Sequence, residues 1–173
     1  MPKRFPFKND WLLNKNIFDE AIKKMESEMN INRKYDIPYV AGYSKDGKTL
    51  YIDKDMPKSF KTKNNKVIKT DKYLLWHELI ENTLLDKFDT FYQLAHQVAL
   101  RSEKDAVEAD GISWKEYNDF MNKNIKKIAD LDSYSHLPSD IDLTPYKDDP
   151  DLSILKKMIK SKPSFKDYLN KHS

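Results

Sequence analysis

Residues 71–109 read DKYLLWHELIENTLLDKFDTFYQLAHQVALRSEKDAVEA, and the architecture is written most clearly there. Apolar residues recur at helical spacing on both sides of a break at Lys87-Phe88-Asp89. The spacing predicts a first helix from Thr70 or Asp71, either of which can cap it, to about Asp86. It predicts a second over about 90–109, with Thr90 and Gln93 as a capping box and Asp110-Gly111 as its stop. A link this short makes the two helices antiparallel neighbours.

The apolar face of the first helix is interrupted by charge. His77 and Glu81 are four apart, so they share a side with Tyr73, Ile80 and Leu84. Glu78 lies about one residue's rotation away. In the second helix Tyr92, His96, Ala99, Glu103 and Ala106 follow an a/d pattern, which puts His96 and Glu103 on a stripe with two small alanines. Facing each other, the stripes bring His77, Glu81, His96 and Glu103 towards one point. Burying such groups uncompensated costs several kcal/mol per charge. Two readings satisfy them: a divalent cation, or a hydrogen-bonded core network. Imidazole and carboxylate donors suit zinc first, with iron or manganese as alternatives. Glu78, aimed at an open coordination position, is placed to act as a base towards water.

The run His77-Glu78-Leu79-Ile80-Glu81 resembles the HExxH helix of the zincin metallopeptidases, with Glu where the second His stands. The likeness covers about residues 37–108. In zincins a sheet strand precedes that helix, as TLYID precedes WHELIE here, and a later helix supplies the third ligand, a part His96 or Glu103 can play. The resemblance implies that His77 and Glu81 are metal ligands and that Glu78 is the catalytic general base, with a peptide or other small molecule as substrate.

Outward from the helix pair, IPYVAGYSKDGKTLYID predicts an antiparallel hairpin over 38–53 around Asp46-Gly47. In that register Tyr43 faces Leu50 and Ala41 faces Ile52. Tyr39, Tyr43 and Tyr51 read as sheet packing, and Asp53 and Asp55 as a strand end. Residues 54–69 read as a solvated loop, with seven lysines in 54–72. Ser113 and Glu116 form a capping box that opens a helix over 113–130. Residues 131–150 read as an extended segment wrapping the core, or else as a linker, and a short helix runs from Leu152 to about Lys160. His136 reads as a surface residue, and His172 lies in a basic tail. Before the hairpin, residues 1–10 read as an arm and Asp10 to about Asn30 as a helix.

The expected fold class is therefore α+β: a mainly helical single domain, 1–130, with a small antiparallel hairpin or sheet ahead of a metal-site helix pair, and 131–173 wrapping it. With 173 residues, 39% apolar and 12% aromatic, the chain is long enough to bury a core. No cysteine is present, which removes disulfides and thiolate chemistry. There is neither a P-loop nor a nucleophile elbow. The net charge is only +3 and Lys greatly outnumbers Arg, which argues against a nucleic-acid partner. No apolar run is long enough for a membrane span, and MPKRFPFKNDWLL has no signal-peptide pattern, so the expected address is cytoplasmic. Lys and Asn richness fits an AT-rich bacterial or phage genome, for which the address is the host cytoplasm. The leading functional expectation is a zincin-like, metal-dependent hydrolase. Its rival is a non-enzymatic helical accessory or interaction protein with a structural His/Glu cluster.

Overall fold

The computed structural model describes residues 23, 25, 27–88, 90–146 and 152–166. The architecture is the mainly helical α+β one that the sequence predicts. The strands are β1 (Asn30–Asn32), β2 (Ala41–Tyr43), β3 (Thr49–Ile52), β4 (Ser59–Lys61) and β5 (Val67–Lys69). The helices are α1 (Asp71–Phe88), α2 (Tyr92–Ala109), α3 (Trp114–Ala129) and α4 (Leu152–Ser161). No helix among the described residues is long and apolar enough to cross a membrane. The chain divides into two compact units, one of residues 1–28 with 58–120, the other of 29–57 with 121–173.

In the first unit, Thr70 is fully buried and its carbonyl accepts the first amides of α1, from Tyr73 and Leu74. The helix then buries Tyr73, Leu74, Leu75, His77 and Glu81. α2 answers with Ala95, Ala99 and Ala106, all at zero exposure, beside Glu103 and Val107. Their missing bulk lets α1 come close. Side-chain pairs run in antiparallel register: Trp76 with Ser102, His77 with Glu103, Glu81 with His96. The end of α2 is where the sequence puts it. Gly111, at φ +71°, donates to Glu108 and Ile112 donates to Val107, the bond pair of a Schellman cap.

Two local readings are corrected in this unit. Thr90 does not cap α2: the helix begins after Phe91 without a side-chain cap, and the buried Thr90 hydroxyl has no hydrogen-bond partner among the described residues. Residues 54–69 are more than a loop, because β4 and β5 pair antiparallel, with Phe60 opposite Ile68. A Lys-rich hairpin with one apolar residue per strand gives too little alternation to be read. Ser113 does cap α3, accepting the Glu116 amide, but the Glu116 carboxylate turns instead to the Lys63 amide at 2.9 Å.

In the second unit the hairpin register is the expected one, Ala41 with Ile52 and Tyr43 with Leu50. Only Gly47 of the turn pair has positive φ, and the Asp46 carboxylate accepts from the Ser44 hydroxyl and the Lys48 amide. β1 adds a parallel partner to β3, pairing Ile31 with Leu50. Asn30 is thus in a strand and not at a helix end. Lys23, Met25, Ser27 and Glu28 are helical, and the rest of the helix expected from Asp10 lies outside the described residues, as do the arm, Asp89, His172 and 147–151. Residues 131–146 run along the outer edge of β2, joined by Lys45 to Asp140 and Asp142 to Tyr43, both 2.7 Å. They bury Tyr134, Leu137, Ile141, Leu143 and Tyr146 against Ile37, Leu155 and Met158. His136 is exposed and stacks on Tyr35. Asp53 is 1% exposed, its oxygens taken by the Ile37 and Asp55 amides.

Candidate metal centre

The site lies wholly in the first unit, between α1 and α2. His77 and Glu81 are successive turns of one face of α1, and His96 comes from the start of α2. One ligand atom from each of the three lies within 4.8 Å of the other two. Glu81 Oε2 stands at the middle, 2.9 Å from His96 Nδ1 and 3.6 Å from His77 Nε2. The imidazoles meet edge to face with centroids 5.0 Å apart. His77 and Glu81 are buried, whereas the His96 side chain is 41% exposed and stacks on Tyr92. The trio therefore has a closed side and an open one, and the open side is at His96.

Glu103, expected to converge with the other three, is buried on the far side of His77. Its Oε2 is 2.8 Å from His77 Nδ1, and its Oε1 accepts the Tyr117 hydroxyl at 2.5 Å. Sequence reasoning did not single out Tyr117. The only signal was indirect: a core tyrosine needs a partner for its hydroxyl, and a buried glutamate needs donors. A second buried pairing was also unforeseen, in which Asp110 accepts from the Tyr73 hydroxyl at 2.6 Å and from Lys72.

The electrostatics follow from this packing. Burial pulls His77 down, but the carboxylates of Glu103 and Glu81 outweigh it and raise it to about 10. Burial pushes Glu81 up, and hydrogen bonds from His77 and His96 more than reverse that, leaving it below its ordinary value. Glu78 is half-buried, with no hydrogen bond to its carboxyl group among the described residues. Burial, then the charge of Glu81, raise it to about 8 despite the opposing pull of His77. The arrangement thus offers three convergent donors and one neighbouring carboxyl group tuned towards neutrality.

Comparison with family models, with curated proteins and with solved structures finds no match for this chain.

Proposed function

We propose that the protein is a zincin-like, metal-dependent hydrolase that acts on a peptide or another small substrate. The observation that carries this reading is the convergence of His77, Glu81 and His96, with ligand atoms within 4.8 Å of one another and an open side at His96. Two imidazoles and one carboxylate are a donor set found in catalytic zinc sites, and three protein ligands leave a fourth position for water or substrate. A divalent ion held by His77, Glu81 and His96 would supply Lewis acidity towards water and a substrate carbonyl. Glu78 takes the proton from the attacking water on its carboxylate and returns it to the leaving group. Without an ion the Glu78 carboxyl group is raised to about 8, and a divalent cation beside it would favour the carboxylate that serves as the base near neutral pH.

The interaction-protein reading has one observation of its own. His77 is bracketed by two carboxylates and His96 reaches Glu81, so the buried polar atoms can be satisfied without an ion. Metal analysis with two variants separates the readings. Wild-type protein is expected to purify with about one equivalent of a divalent metal. His77→Ala loses the metal and melts at a lower temperature. Glu78→Gln keeps metal and melting temperature while hydrolysis in a broad peptide screen drops about 10²–10⁴-fold. Wild-type protein that never contains metal, or His77→Ala that binds it as tightly as wild type, replaces the hydrolase with the interaction protein.

A further inference from the structure

We propose that Glu103 and Tyr117 are positioning residues that set the tautomer and orientation in which His77 presents Nε2 to the metal. This rests on the metal-site reading above. The argument begins with the division of one carboxylate. Glu103 gives Oε2 to His77 Nδ1 at 2.8 Å and Oε1 to the Tyr117 hydroxyl at 2.5 Å. Both oxygens are thereby engaged, in a side chain that is 5% exposed. Glu103 cannot turn to an ion without giving up both bonds. It is built to stand behind a ligand and not to be one.

A carboxylate facing Nδ1 only accepts, so Nδ1 keeps its hydrogen, and Nε2 is the nitrogen that gives up its proton and offers its lone pair to a metal. The Nε2 side of the ring faces Glu81, at 3.6 Å, and hence the converging trio. A carboxylate on the far nitrogen also makes an imidazole a stronger donor to metal.

Tyr117 fixes the carboxylate in turn. Its ring is fully buried, with Tyr73 edge-on at 5.3 Å, Trp114 at 5.6 Å and Phe60 at 6.1 Å. The hydroxyl has no path to water and spends its proton on Glu103. Simple satisfaction of buried polar atoms would account for the same two bonds, but the unit contains its own control. Tyr73 is equally buried and spends its hydroxyl on Asp110, beside Lys72. Loss of either hydroxyl costs stability, but the Tyr117 hydroxyl holds the carboxylate that bonds a ligand, His77.

The test is metal binding by the full-length chain, stripped of metal and titrated with zinc against a competing chelator. Cobalt(II) absorption serves as a reporter of ligand geometry, with each variant shown to be folded by circular dichroism. Glu103→Gln is expected to weaken zinc binding by about ten- to a hundredfold and Tyr117→Phe by about tenfold, both with shifted cobalt bands. Tyr73→Phe is expected to lower the melting temperature while leaving zinc affinity and the cobalt spectrum as in wild type. Should Glu103→Gln not fold, the nearly isosteric Tyr117→Phe carries the test. Unchanged zinc affinity and cobalt bands in Tyr117→Phe overturn the proposal, and so does an equal loss in Tyr73→Phe, which marks a general packing effect. Wild-type protein that takes up neither zinc nor cobalt defeats the metal-site reading itself, a different result from either of these.

Discussion

Raising the pH should destabilise the metal-free protein and tighten its grip on zinc, because His77 holds a proton where the metal would sit. In the unfolded chain a histidine titrates near 6.5, and in the folded site His77 is raised to about 10. Folding therefore binds the proton more tightly. The stability this contributes is complete below about pH 6.5 and is lost as the pH rises through about 10. Glu78 works in the same direction, from its ordinary 4.5 up to about 8. Glu81 works in the opposite direction on the acid side: it is lowered, so its contribution is lost as the pH falls below the ordinary carboxylate range. The His77 rise alone corresponds to a loss on the order of 5 kcal/mol across the window. That rivals the whole stability of many domains, roughly 5–15 kcal/mol. Zinc needs the free Nε2, so each binding event displaces a proton and affinity should rise about tenfold per pH unit. The assay is thermal melting in chelator from about pH 6 to 9, repeated for His77→Gln, with zinc affinity measured in buffered zinc over the same range. A melting temperature that is flat or rising through this window, or a zinc affinity independent of pH, would refute the reasoning.

Three further outcomes are expected. Ile141→Ala opens a cavity at a fully buried position in the second unit and should cost about 2–5 kcal/mol, read from the urea midpoint. Trp76→Phe keeps an aromatic ring on α1 but removes the indole N–H bond to Ser102 Oγ at 2.8 Å, so chemical denaturation should show a loss of about 1 kcal/mol. The lysine-rich stretch should not bind DNA or RNA tightly at physiological ionic strength. A salt-sensitive complex that disappears on neutralising Lys58, Lys61, Lys63 and Lys66 would contradict this.

Local rules carried the sequence reading wherever a residue's partner was near in the chain or set by a strict period. The hairpin register was legible because alternation and Asp46-Gly47 leave little choice, even though the turn keeps only Gly47 at positive φ. The meeting of His77, Glu81 and His96 was legible because an i, i+4 pair and a short link fix which stripes face each other. What stayed hidden depends on distant partners. β1 pairs with β3 in parallel across nearly twenty residues, and nothing in NIN announces it. β4 and β5 are held by Phe60 and Ile68 in an otherwise polar stretch. The destination of Glu103 was hidden for a similar reason. Helical periodicity puts it on the α2 stripe, but Tyr117 on α3 claims one of its oxygens and turns the other to the back of His77.

The charges of the site bear on why Glu78 stands next to His77 at all. Three carboxylates, Glu78, Glu81 and Glu103, act on His77, and two imidazoles answer them. Even with both imidazoles charged, one negative charge is left over. Glu81 accepts from the imidazoles, which lower it, and Glu103 accepts from the Tyr117 hydroxyl, whereas the Glu78 carboxyl group has no hydrogen bond among the described residues. Burial and repulsion keep a proton there. A divalent cation among His77, Glu81 and His96 would relieve the same surplus, and Glu78 would then ionise. On this account an ion that polarised water would also free the carboxylate proposed to deprotonate it, and the base would be available only with a metal to work with.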